Sequence, residues 1–202
     1  APAEPKTTKL YMPTMQVIGA SQVGLSLINP TSVPADIELT AYDYSGVAIH
    51  KDSIPNPVHL TIPAFSQRLY LASDIFGNGI RSQTGWIEIS TSAVSVKGAF
   101  VAYDSTLSSI DGGWIESQPA NRIVFPKISE DLASPAELTF VNTAIEDIEV
   151  RISLYENTGR LTDSWSMTIA GRSGFSGLAA GWFSPMRTHS VSIAANVAAS
   201  IA

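Results

Sequence analysis

The sequence contains no cysteine. That excludes a disulfide framework, a thiolate-held metal and a cysteine nucleophile, while leaving the compartment open. Histidine is scarce: His50, His59 and His189 have no partners at metal-ligand spacing, and no HExxH pattern occurs. No apolar run reaches the roughly 18 residues of a membrane-spanning helix. Charge is sparse too, at 15% of residues with a net charge of −6, against about 25% charged in ordinary soluble domains. The twelve Lys and Arg residues are scattered. They supply neither the basic footprint of a nucleic-acid binder nor a basic amphipathic helix for a membrane surface. Little like-charge repulsion opposes lateral packing of such a surface. No segment sustains a helical period between caps, so the expected class is all-β.

Chemistry is equally thin. Gly171-Arg172-Ser173-Gly174-Phe175 fails the GxSxG nucleophile elbow at its last position. Carboxylates such as Asp43, Asp74, Asp104, Asp111, Glu130, Asp131, Glu146 and Asp147 fall mostly in turn and loop stretches. A glycosidase needs two of them facing across a cleft, which linear spacing does not define. Asp104, Asp111, Glu130 and Asp131 lie near the middle of the chain and offer oxygen ligands for calcium, but no Asp-x-Asp-x-Asp loop accompanies them. Trp86, Trp114, Trp165 and Trp182 are candidates for stacking on sugar rings; packing in a core accounts for the same residues. The expectation is no catalytic residue, no metal and no cofactor.

What the chain does contain is an internal repeat. Pro13 and Pro126, Asn29 and Asn142, Tyr42 and Tyr155, and Gly46 and Gly159 are all separated by one and the same offset. The register runs without a gap from Leu10/Ile123 to Gly46/Gly159. Apolar positions match as well: Met12 with Phe125, Leu25 with Leu138, Leu27 with Phe140, Ile37 with Val150, and Leu39 with Ile152. After a shorter loop, Thr61-Ile62 match Thr168-Ile169. The boundaries this predicts are a flexible arm (1–8), a β-sandwich module (9–104), a junction hairpin or loop (105–121) and a second module (122–202). Modules of about 100 residues suit a β-sandwich with its own core.

Alternation places the strands. Val23, Leu25 and Leu27 share one face; Ile37, Leu39 and Ala41 share another, ending in the turn Asp43-Tyr44-Ser45-Gly46. Val58, Leu60 and Ile62 are predicted inward, as are Leu69 and Leu71, and Ser73 is the expected cap of one helical turn. In the second module, strands are expected at 160–165 and 167–169, then at 190–194 and 197–201. The last two are matched to 86–90 and 94–96. Module one continues through Gly98-Ala99-Phe100-Val101-Ala102-Tyr103, and module two has no equivalent. Either the chain is a piece of a longer array, or the second module is shorter, or a strand from a neighbouring subunit completes it by β-strand addition. On the third alternative the assembly residues are Thr8, Lys9, Leu10, Tyr11 and Met12 on the donor side and Ile193, Val197 and Ile201 on the acceptor side.

The segments LYMP, GLSLINPTSVPADIELTAYDYSG, HLTIPAFSQRLYL and GWIEISTSAVSVKGAFVAYD together resemble one unit of a repeat found in tandem in large exported bacterial surface proteins. The resemblance covers module one and most of module two. Module two departs from it at Thr143, where module one has Pro30, and lacks the Gly-Trp pair before its penultimate strand. It implies tandem immunoglobulin-like antiparallel β-sandwiches serving as stalks, coats or adhesive modules, with no catalytic residue to carry over. Ala1-Pro2-Ala3-Glu4-Pro5 reads equally as a mature terminus after signal-peptide removal and as an arbitrary boundary. The functional expectation is a non-enzymatic, extracellular or cell-surface structural protein that self-associates into a homopolymer. The alternative is a carbohydrate-binding or adhesive accessory module.

Overall fold

The alternating stretches become strands because a period of two buries one face of each and wets the other. In the computed structural model, the described residues are 8–15, 22–93, 95–108, 110–115, 119–125, 137–156, 158–182 and 190–201. They form an all-β chain of antiparallel sheets, consistent with a β-sandwich, with helix confined to single turns. The chain divides into two compact units, 1–118 and 119–202.

In the first unit, β1 (Thr8–Met12), β6 (Trp86–Thr91), β3 (Ala35–Tyr42) and β4 (Val58–Ile62) form one sheet in that order. The other sheet runs β5 (Ser66–Leu71), β2 (Gln22–Asn29), β7 (Lys97–Tyr103), β8 (Ile110–Ile115). Leu10, Ile37, Leu39, Ile87 and Ile89 from the first sheet share one core with Leu25, Leu27, Ala102 and Ile115 from the second. In the second unit, β9 (Ala120–Phe125), β14 (Ser190–Ile201), β11 (Ile148–Glu156) and β12 (Leu161–Ile169) repeat the first sheet strand for strand. β10 (Glu137–Val141) pairs with β13 (Gly174–Leu178), as β2 pairs with β5.

Register makes the correspondence specific. Leu39 lies between Val58 and Ile89; its counterpart in the repeat, Ile152, lies between Trp165 and Ala195. Thus β14 aligns with β6, Val197 standing opposite Val150 where Thr91 stands opposite Ile37. Two expected details of this region change. Ser190–Ile201 is one strand rather than two, and so is Leu161–Ile169. The sequence pattern sets 190–194 against 86–90, a shift of two positions from this alignment, because small residues such as Ser and Ala leave apolar alternation weakly marked.

Three side-chain expectations also change. Leu25 pairs with Tyr70, so Tyr70 faces the core, while Leu69, 74% exposed, and Leu71, opposite Gly24, lie on the outer face. Alternation alone sets a period and not which face is buried. The helical turn α1 (Ala72–Phe76) begins at Leu71, whose N–H is accepted by the Asp74 carboxylate at 3.3 Å; Ser73 instead accepts from the Arg81 guanidinium at 3.2 Å.

The shared asparagine explains why the frame recurs. Asn29 is fully buried, and its amide nitrogen donates to the carbonyls of Val33, Ile62 and Pro63 at 2.8–3.2 Å. Its oxygen accepts the Thr31 N–H at 3.1 Å. Asn142, equally buried, donates to Glu146, Ile169 and Ala170 and accepts from the Ala144 N–H, the same set of partners moved along the repeat. Phe65 and Arg172, at matching loop positions, both have positive φ (50° and 60°), and each donates its N–H to the carbonyl of Thr31 or Ala144 respectively. Asn29→Ala or Asn142→Ala strands these backbone groups. Each is expected to cost about 2–4 kcal/mol, seen in urea unfolding as loss of stability in the unit that carries it. Asn→Asp at either site, which removes the donors and buries a charge, is expected to be no better; a loss below about 0.5 kcal/mol for either alanine variant would contradict the bracing role.

Candidate functional site

The residues expected to carry assembly are placed in two units and are engaged differently. Thr8, Lys9, Leu10, Tyr11 and Met12 are β1, paired along their length with β6, from Thr8 opposite Thr91 to Met12 opposite Ile87. Leu10 and Met12 are fully buried in the first core, and the Lys9 ammonium donates to the Glu88 carboxylate at 2.7 Å. Residues 5–7, the rest of the expected donor arm, lie outside the described residues. Ile193, Val197 and Ile201 belong to β14. That strand is interior: Ile193 pairs with Leu154 on one side and Phe125 on the other, Val197 with Val150, and Ile201 with Ala120. The open edge expected on the last strand of the second unit therefore falls elsewhere.

It falls on β10. In the first unit β2 has β5 on one side and β7 on the other. In the second, β10 has β13, and no strand among the described residues takes the other side. The reason is the crossing order of a sandwich, in which strands adjacent in sequence often belong to opposite sheets. The strand that follows β6 completes β2. Main-chain direction follows from Asn142, whose N–H donates to Ser173 at 2.8 Å, on the β13 side. With a period of two, the N–H and C=O of Glu137, Thr139 and Val141 point to the open side. Toward the core, β10 presents Leu138 and the fully buried Phe140. On its other face, Ser176 bridges the Thr139 hydroxyl at 2.9 Å and the Glu137 carboxylate at 2.6 Å. None of these residues is a candidate by sequence.

A second feature lies on the outer face of the β5–β2–β7–β8 sheet. Register places Leu69, Ser26, Ala99 and Trp114 in one row across it, and Leu71, Gly24, Val101 and Gly112 in the next. Small residues on β2 between Leu69 and Leu71 on one side and Val101 and Tyr103 on the other leave a shallow cavity of about 320 Å³. Trp114 beside it is 72% exposed and Ile110 64%. Trp86, by contrast, is buried and stacks on Tyr42 at 4.6 Å. Trp165 and Trp182 stack on each other at 5.7 Å within the second core cluster.

The remaining polar candidates mostly hold turns. Asp43 accepts the N–H groups of Ser45 and Val47, and Asp104 those of Thr106 and Ser108. Asp111 accepts from Gly112, and Asp147 from Gly171. Ser173 is buried and donates to the Ala170 carbonyl at 2.7 Å rather than to a base. His59 stands 3.7 Å from Glu38 at an exposed position. Glu156 raises the pKa of Arg160, by hydrogen bonding first and by charge second. Glu130, Asp131 and His189 lie outside the described residues. Among the described residues no three His, Asp or Glu side chains gather as a metal site, and no helix is long and apolar enough to cross a membrane.

These features define an all-β protein of antiparallel sheets, built on a repeated asparagine-braced frame, whose candidate functional feature is a sheet edge. Compared with known proteins, the chain matches no protein-family model and no curated protein.

Trp114 makes a direct check of the outer face. Because its ring is exposed, Trp114→Ala is expected to change unfolding free energy by less than about 0.5 kcal/mol, whereas Trp86→Ala in the packed aromatic cluster is expected to cost about 3–5 kcal/mol. Urea titration of the two variants checks this. A large loss in Trp114→Ala would make the ring a structural support and not a free surface.

Proposed function

We propose that the chain is a non-enzymatic structural protein made of two tandem immunoglobulin-like β-sandwich modules. It acts as a subunit or segment of an extracellular fibre, sheath or surface appendage, exported by a bacterium and joined to its neighbours through sheet edges and module ends. The observation that carries the reading is a strand edge with no partner among the described residues. The two units share one frame, yet β2 is paired on both sides and β10 on one among the described residues. An unpaired strand edge is a template for another strand. A neighbour that supplies that strand makes a heterologous, head-to-tail joint, and such joints propagate into filaments when they do not close. Support for export comes from the low charge and from the resemblance of the repeat to those of exported surface proteins.

Static and dynamic light scattering across a concentration series, with negative-stain electron microscopy, tests it. Species that grow with concentration and elongated particles are expected. Monodisperse monomers under all conditions would sink the assembly reading. One observation favours the second reading, a carbohydrate-binding or adhesive module: the exposed Trp114 ring beside the outer-face cavity. On that reading oligosaccharides quench or shift tryptophan fluorescence in the parent protein and not in Trp114→Ala; on the structural reading they leave both unchanged.

A further inference from the structure

We propose that β8 is a self-pairing edge. Two copies of this chain join β8 to β8, antiparallel about a twofold axis at Gly112, so that Ile110 of each copy stands opposite the partner's Trp114. The proposal goes beyond the head-to-tail fibre reading, because this joint is closed and lies wholly in the first unit.

β8 lies in the interior of the chain, with strands before and after it, and pairs with β7 on one side; no described strand takes the other. Two observations fix which main-chain groups face that open side. The Gly112 N–H donates to the Asp111 carboxylate at 2.7 Å. A Cβ on Gly112 would collide with the Phe100 carbonyl oxygen, so that carbonyl turns toward β8, where Phe100 stands opposite Gly113. In an antiparallel ladder, opposite residues that exchange both main-chain bonds alternate with pairs that exchange none. Gly113 is thus bonded to β7, and the main-chain groups of Ile110, Gly112 and Trp114 point to the open side.

The same three residues form the outer face of β8, since Ile115 is buried in the core and its alternate neighbours share its side. Ile110 and Trp114 are both exposed there. Their spacing about Gly112 selects a second copy as the partner. With Gly112 opposite its own counterpart, Ile110 meets the partner's Trp114 on either side of the axis, and aromatic–β-branched pairs stabilise adjacent strands. Asp111 falls opposite the partner's Gly113, so no like charges stand directly opposite. The other edge strands of the first unit each carry a basic residue, Lys9 in β1, His59 in β4 and Arg68 in β5, and β8 has none. Charged side chains on an edge, lysine above all, discourage pairing with another chain. Asp111 is the one charge on β8. On pairing, its carboxylate yields the Gly112 N–H to the partner's Gly112 carbonyl. One short strand from each copy buries less than the roughly 1,200 Å² of a standard stable interface, so the joint is weak, reversible and driven by concentration.

The experiment uses the full chain. Sedimentation across a concentration series should show a reversible dimer. Trp114→Lys is expected to weaken it at least ~10-fold while the urea unfolding midpoint at low concentration stays unchanged. Asp111→Asn, which removes the two carboxylates flanking the axis, should tighten it about 2–5-fold, an effect that shrinks at high salt. The register has its own readout, because the chain has no cysteine. An equal mixture of the Ile110→Cys and Trp114→Cys variants should give a disulfide-linked dimer on mild oxidation, since opposite residues of a bonded pair stand about 5.5 Å apart at Cα, within the span of a disulfide. Neither variant alone should link, its two thiols lying about 14 Å apart along the strands. No dimer at any soluble concentration, a dimer of equal strength in Trp114→Lys, or equal linking by either variant alone would overturn the proposal. Filaments that survive Trp114→Lys and give no mixed link keep the fibre reading and lose this one. Particles that stop at two copies and give the mixed link do the reverse.

Discussion

A single buried amide in each unit ties together segments that side-chain packing alone would leave loosely ordered. Packing between two sheets is non-directional, so it does not by itself fix where the chain leaves one sheet for the other. Asn29 does. Its three donated bonds reach the loop after β2 and the last carbonyls of β4 and its exit, where the chain crosses from one sheet to the other. Asn142 makes the same clamp at the exit of β12. A buried amide with every bond made is directional, and its cost when unmade is high. That combination braces the crossover.

Around that brace the apolar filling differs between the units. The first core is mostly aliphatic, whereas Phe125, Phe140, Trp165, Phe175 and Trp182 pack against one another in the second. Tyr70 and Ile75 of the first unit correspond to Gly177 and Trp182 of the second. A Cβ on Gly177 would come within 3.0 Å of the Trp182 ring. The Trp182 side chain lies over the position of Gly177, which carries no side chain of its own. Volume in a core can be redistributed in this way at modest cost; the hydrogen bonds of the two asparagines have no comparable substitute.

The crossing order also decides which strand is left open. β7 follows β6 along the chain but lies beside β2 in space. With no β7 equivalent among the described residues, β14 is still paired on both sides, and the opening shows at β10, in the other sheet. The chemistry of that edge follows from the residues already there: a bulky Phe140 toward the core and Glu137 on the outer face.

Much of the frame is legible in the chain because it rests on local rules. Alternation locates β2 and β3, Gly46 and Gly159 mark the turns after β3 and β11 with φ of 83° and 82°, and a constant offset between matching residues shows that the plan occurs twice. Strands, repeat and the recurring asparagine can all be read from near neighbours or from that fixed offset. Folding in three dimensions was needed to settle that Tyr70 and not Leu69 faces inward, that residues 190–201 are one interior strand, and that β10, not β14, is paired on one side only among the described residues. These depend on pairing between residues distant in the chain. An alternating segment has two faces and two edges, and its partners alone determine which of them is covered.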